Sequence, residues 1–155
     1  MDNLLIQHFK GIPTEPNIRR EDNIDKITQK IPNLVSRDWN MTLLREISKV
    51  EVEEVIRNMA RNKAPGPDGF TAEFFQVTWP FLGEDILKLV EESRCTKRMH
   101  PALNSKFLAL ISKTEHSEEP KGFRPIVVYN VIHKIMATIM VNHLKPILPK
   151  LISQE

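Results

Sequence analysis

Seven consecutive residues, Lys63-Ala64-Pro65-Gly66-Pro67-Asp68-Gly69, carry the densest local chemistry in the chain. Proline lacks an N–H and glycine loses the most backbone entropy on ordering, so the run continues neither a helix nor a sheet ladder and reads as a shaped loop. Ala64 and Gly66 each precede a proline and are driven toward extended conformations. Asp68-Gly69 is a turn pair whose glycine takes positive φ at little cost. Such a loop has two uses. It can lay amides and the Lys63 ammonium against a phosphate-bearing strand, or it can join two helices with Asp68 capping the second. Arg124 is the other notable charge. Beside Pro125 and flanked by Lys121 and Gly122, it starts a rigid element that can present a planar guanidinium to a phosphate; its alternative is an ordinary surface arginine, or one paired with an acid.

Other chemistry is not signalled. His8, His100, His116, His133 and His143 show no HExxH or paired spacing, and no GxGxxG, GxxxxGK[ST] or GxSxG occurs. Glu118-Glu119 fall in an expected hairpin tip, where solvent keeps carboxylates ordinary. No catalytic and no metal-ligating residue is assigned. The net charge of +2 hides an asymmetry: residues 121–150 hold Lys121, Arg124, Lys134, Lys145 and Lys150 but no Asp or Glu. A basic surface attracts polyanions by counterion release, although lysines on a solvated helix face give the same count.

At 155 residues the chain has the length of one domain. The single cysteine, Cys95, excludes an internal disulfide framework and a cysteine zinc cluster, so the expected setting is intracellular, with nucleus and cytoplasm undistinguished. The N-terminus MDNLLIQHFK has an early acid and no long apolar run. The most apolar stretch, residues 126–141, is broken by Asn130, His133 and Lys134, so a soluble chain with no membrane partner is expected.

The elements that must position Lys63 and Arg124 follow from periodicity. Residues 1–40, with Pro13, Pro16 and Pro32, read as an irregular or partly helical lead-in, with Leu34, Val35 and Trp39 packing on the body. Ser48 precedes Glu51 at capping-box spacing, and Val52, Val55, Ile56 and Met59 follow with helical period, predicting a helix from about Lys49 to about Asn62. After the loop, Thr71 or Asp68 caps a short helix containing Phe74 and Phe75, which Pro80 stops or kinks. A longer helix then opens at Gly83-Glu84-Asp85 and runs to about Arg94. KFLALIS (106–112) and FRPIVVY (123–129) read as two strands of a hairpin with a mobile tip, the second an edge strand because of Pro125. A final helix begins near Asn130 with Val131, Ile132, Ile135, Met136, Ile139 and Met140 as its apolar stripe. Pro146 and Pro149 end it.

Taken together, Lys63 to Gly69, Ala72-Glu73-Phe74-Phe75, Phe123-Arg124-Pro125-Ile126, Asn130-Val131-Ile132, Lys134-Ile135 and Leu144 to Ser153 resemble the reverse transcriptase of plant-type non-LTR, LINE-type retrotransposons. The resemblance covers residues 47–153, and residues 1–46 resemble the variable linker that precedes the polymerase. It implies an α+β fold, mainly helical with one short β-hairpin: the N-terminal extension and fingers of a right-hand polymerase, truncated before the palm active site. The implied partners are an RNA template and a DNA primer, together with the missing palm domain. The implied nucleic-acid or nucleotide contacts are Lys63, Pro65, Gly66, Asp68, Gly69, Lys121, Arg124 and Lys134.

The same resemblance places the catalytic aspartates and their two Mg²⁺ ions outside this chain, which contains no FxDD-like element. No cofactor is expected within it, and alone it should not polymerise. Val127-Val128-Tyr129 stand where Ser-Leu-Cys is common, His133 where tyrosine is common, and His143 where arginine is common. The last change would weaken a phosphate contact at that position. Two further readings are a non-enzymatic nucleic-acid-binding or interaction module, and a translated relic without function.

Overall fold

A computed structural model describes residues 34–115 and 119–152, with Gln7, Ile24, Thr28 and Gln29 besides. Most of the lead-in, residues 116–118 of the hairpin tip and Ser153 lie outside the described residues. In order, the elements are α1 (Arg37–Leu43), α2 (Lys49–Arg57), α3 (Ala72–Thr96), β1 (Lys106–Ser112), a 3-10 turn (Pro120–Gly122), β2 (Phe123–Tyr129), α4 (Val131–Leu144) and α5 (Leu148–Leu151). The class is α+β, with one two-stranded sheet pairing β1 and β2. The chain divides into two compact units, residues 35–108 with 127–155 and residues 1–34 with 109–126.

The first unit is helical. Its core joins Val52, Val55 and Ile56 of α2, Phe75, Trp79, Ile86 and Val90 of α3, and Val131, Ile132, Ile135, Met136 and Ile139 of α4. Helix α2 starts where the sequence places it, with the Ser48 hydroxyl accepting from the Glu51 N–H at 3.2 Å. The reciprocal half of the capping box is not made. The Glu51 carboxylate turns instead to His143 Nε2 at 2.7 Å and Arg45 at 3.0 Å. The helix also ends about a turn early, at Arg57. The Gln76 side-chain amide donates to the carbonyls of Ile56 (2.9 Å) and Met59 (3.0 Å), capping the terminus from a neighbouring helix that local periodicity does not reveal.

Two helices were expected where α3 is one. Pro80 lies inside it. Phe75, Trp79, Gly83, Ile86 and Val90 form a single buried stripe across the proline. Burying several large side chains, at about 1.5–3 kcal/mol each, outweighs the roughly 3 kcal/mol cost of an interior proline. Gly83 makes room for this packing, since a Cβ there would meet the Trp79 indole at 3.2 Å. Thr71 caps the helix, its hydroxyl accepting from the Phe74 N–H at 3.3 Å. At the far end, Glu91 and Arg94 fasten the strand entering α2: Glu91 accepts from the Ile47 N–H, and Arg94 donates to the Leu44 carbonyl at 3.0 Å. Burial alone would raise the Glu91 carboxyl, but the hydrogen bonds from Arg94 and Ile47 hold it below its ordinary value.

Helix α4 begins at Val131 as the sequence indicates, but Met140 points outward. Pro149 does not act as a stop; it sits in the first turn of α5, where its missing N–H is no loss. Leu34 and Val35 are exposed, while Trp39 is half-buried beneath the Lys150 ammonium, 5.0 Å from its ring centroid.

The second unit contains the tip-side part of the hairpin. The Lys113 N–H donates to the Gly122 carbonyl at 2.8 Å and Lys113 Nζ to the Lys121 carbonyl at 2.7 Å, closing the strands before the tip. Among the described residues no helix is long and apolar enough to cross a membrane.

Candidate nucleic-acid interface

The loop from Lys63 to Gly69 is held from below by one buried side chain, that of Asn130 at the start of α4. Asn130 is 1% exposed. Its Oδ1 accepts from the Asp68 N–H at 3.2 Å, and its Nδ2 donates to the Ala102 carbonyl at 3.1 Å. The amide thus ties the loop to the turn that precedes β1. Gly66 lies directly on Asn130: a Cβ at Gly66 would stand 2.5 Å from Asn130 Cα and closer still to its N and Oδ1. Only glycine permits that approach. The Gly69 N–H closes the turn on the Gly66 carbonyl at 3.1 Å, with Gly69 at φ 77° in open space. Asp68 accepts through Oδ1 from the Phe70 N–H at 3.1 Å, an Asx turn rather than the helix cap, which is Thr71.

Hydrogen-bond accounting decides what the loop can offer a ligand. Pro65 and Pro67 have no N–H, and those of Asp68 and Gly69 are used within the protein. Of the loop's amides, only those of Lys63, Ala64 and Gly66 are left for a ligand. Its outward charge is the exposed Lys63 ammonium, with Lys134 reaching the neighbouring Ala64. Lys134, in the first turn of α4, donates from Nζ to the Ala64 carbonyl at 3.4 Å. Residues 70 positions apart are in this way gathered at one place, with Asn130 as the fastening. Lys134 is half-buried and Asp68 is exposed.

Lys121 and Arg124 belong to the other unit. Both are exposed, and among the described residues neither side chain has an ion pair or hydrogen bond. Strand alternation puts Arg124 and Ile126 on one face of β2, so the guanidinium stands on a paired strand rather than on a free loop.

His143, where a guanidinium is the usual residue of the resembled family, faces inward. It is buried, with Nε2 on Glu51 and Nδ1 3.4 Å from the Leu43 carbonyl, and so binds α1 and α2 to α4 instead of meeting a phosphate. His133 stacks on Tyr129, ring centroids 4.1 Å apart. Burial, and then the nearby Lys106 charge, lower its pKa below the ordinary 6.5. The roles of Asn130 and Gln76 escaped the reading of the sequence. An asparagine at a helix start and a glutamine inside a helix are both common, and their partners are 62 and 20 positions distant. Among the described residues no three His, Cys, Asp or Glu side chains gather as a metal site.

Comparison with known proteins points in one direction. The chain is 29% identical over 134 residues to the Transposon TX1 uncharacterized 149 kDa protein of Xenopus laevis, a match covering 86% of this chain and 10% of that protein. It is 25% identical over 104 residues to the putative 115 kDa protein in type-1 retrotransposable element R1DM of Drosophila melanogaster, covering 64% of this chain and 10% of that protein. No protein-family model matches. The chain thus spans about a tenth of the length of the curated relatives it matches, and their names support a retrotransposon-derived protein.

Proposed function

We propose that this chain is the N-terminal extension and fingers of a retrotransposon reverse transcriptase, an RNA-directed DNA polymerase, and that it contacts the template or incoming nucleotide through the loop from Lys63 to Gly69. The observation that carries the reading is the joint one. Three sequence blocks of that family, around Lys63 to Gly69, Asn130 and Lys134, meet through Asn130 and the Lys134 hydrogen bond. The similarity to proteins of mobile elements supports the same origin. Lys63 and Lys134 supply positive charge for the sugar–phosphate backbone, the sequence-independent part of nucleic-acid affinity. Lys121 and Arg124 form a second basic site on the hairpin. The carboxylates that hold Mg²⁺ belong to a palm domain that this chain does not include, so the chain alone binds without polymerising.

Long-read sequencing of the source transcript across codon 155 tests the assignment. Continuation of the frame into a segment with a paired-aspartate motif is the expected result. A stop codon immediately after Glu155 would overturn the polymerase assignment.

A further inference from the structure

At the base of the hairpin, within the helical unit, side chains from three elements meet. Lys106 is the first residue of β1, Tyr129 the last of β2, and His133 lies in the first turn of α4. The Tyr129 and His133 rings are nearly parallel, at 13° with centroids 4.1 Å apart, and Lys106 Nζ stands over the Tyr129 ring at 5.7 Å from its centroid. The stack fixes the half-buried imidazole in place. The exposed ammonium is held only by the ring beneath it, near the outer limit of that attraction.

The polar capacity of both groups is unspent. Among the described residues the Lys106 ammonium has neither an ion pair nor a hydrogen bond, and neither nitrogen of His133 has a hydrogen-bond partner. Polar groups withdrawn from water are ordinarily bonded, so an unpaired imidazole beside an unpaired ammonium marks a place for a ligand rich in acceptors. The surrounding sequence supplies none with charge. Residues 93–114, which carry Lys106, and residues 121–150, which carry Tyr129 and His133, contain no Asp or Glu. On α4 itself the charged neighbour is Lys134, turned to the Ala64 carbonyl; in the adjoining loop Asp68 accepts from the Phe70 N–H. Burial first and the Lys106 charge second favour the neutral imidazole. An anion set against the pair reverses the second effect.

We propose that Lys106 and His133 hold a phosphate of the bound nucleic-acid strand, and that His133 takes up a proton from solvent as the phosphate arrives. The inference rests on the reading of this chain as a nucleic-acid contact, and it adds a site to the one at the loop. Asn130 ties that loop to the turn entering β1, and Lys134 directly follows His133, so both sites share the start of α4. The phosphate accepts charge-assisted hydrogen bonds from the Lys106 ammonium and the His133 imidazolium, and its charge offsets the repulsion between the two cations. Affinity for the strand therefore rises as pH falls.

The test uses the full 155-residue chain and a labelled single-stranded RNA oligonucleotide. Anisotropy reads affinity against salt and from about pH 8 to about pH 5.5, across the ordinary histidine range. NMR of the imidazole C–H signals follows His133, identified by its loss in His133→Phe, which keeps a ring against Tyr129. Wild-type affinity should rise on acidification by a larger factor than that of His133→Phe, and RNA should move the His133 titration to higher pH. Lys106→Ala, at an exposed position, should make the salt slope shallower by about 0.7 and remove most of that movement. RNA bound at full strength with the His133 titration unmoved would overturn this inference alone and leave the proposed function standing. So would a wild-type salt slope in Lys106→Ala, the result expected if the pair meets a protein carboxylate instead. No RNA binding by the wild-type chain at any pH would overturn both.

Discussion

Replacing Asn130 with alanine removes the buried side chain that fastens the Lys63 to Gly69 loop to the turn before β1. Its hydrogen bonds with the Asp68 N–H and the Ala102 carbonyl go, and with them a long one of 3.5 Å to the Leu103 carbonyl. Each contributes about 0.5–1.5 kcal/mol net, and a partner left without a replacement costs up to about 3 kcal/mol. Asp68 and Ala102 are themselves exposed, so water can meet part of their need and the lower values apply. A loss of about 1–3 kcal/mol follows. With a urea dependence of about 2 kcal/mol per molar, the middle of the usual range, the midpoint should fall by about 0.5–1.5 M with the slope unchanged. Urea titration followed by tryptophan fluorescence reads this directly, since Trp79 lies in the core. Asn130→Asp is the informative companion. It keeps an acceptor for Asp68 but sets a carboxylate against the Ala102 carbonyl, and should be no more stable than the alanine variant. A midpoint shift worth less than about 0.5 kcal/mol for Asn130→Ala, within the range of ordinary surface substitutions, would refute the clamp.

Three further outcomes are expected. Gly66→Ala puts a methyl into the backbone of Asn130 and should destabilise by about 1–3 kcal/mol or more, measured in the same titration. His143→Leu should cost about 1–3 kcal/mol, because the Glu51 Oε2 atom is already buried without a partner and Oε1 would keep only Arg45. Adding Glu51→Leu should recover part of that loss by removing the stranded carboxylate. The third concerns pH. The folded chain holds His133 neutral to a lower pH than the unfolded chain does, through burial first and the Lys106 charge second. Its contribution to stability is therefore present above the unfolded value of 6.5 and is lost as pH falls through the lower folded value. Urea midpoints measured from about pH 8 to about pH 5 should decline less in His133→Phe than in the wild type.

The elements were legible wherever the signal was local. Ser48 and Thr71 announce their helices through side chains that cap amides three residues on, and the two strands show as short apolar runs, the second rich in β-branched residues. Where the sequence misled, the deciding partner was distant. Glu51 sits at capping-box spacing, yet His143 at 92 residues' remove claims its carboxylate. Pro80 reads as a break until the Phe75-to-Val90 stripe on both of its sides is seen to face one core. The loop was legible as a rigid connector, but not its attachment. The closeness of Gly66 to Asn130 is a fact of packing, and so is the use of the Asp68 and Gly69 amides within the protein.

The most direct measurement is a salt titration of single-stranded RNA binding by the full chain, read by anisotropy of a labelled oligonucleotide. Three proteins should be compared: wild type, Lys63→Ala/Lys134→Ala and Lys121→Ala/Arg124→Ala. Each phosphate contact on a single strand contributes about 0.7 to the slope of log affinity against log salt. Each double variant should therefore bind more weakly and show a slope shallower by about 1.4. Wild-type affinity and slope in the Lys63/Lys134 variant would contradict the assignment of the loop as a nucleic-acid contact.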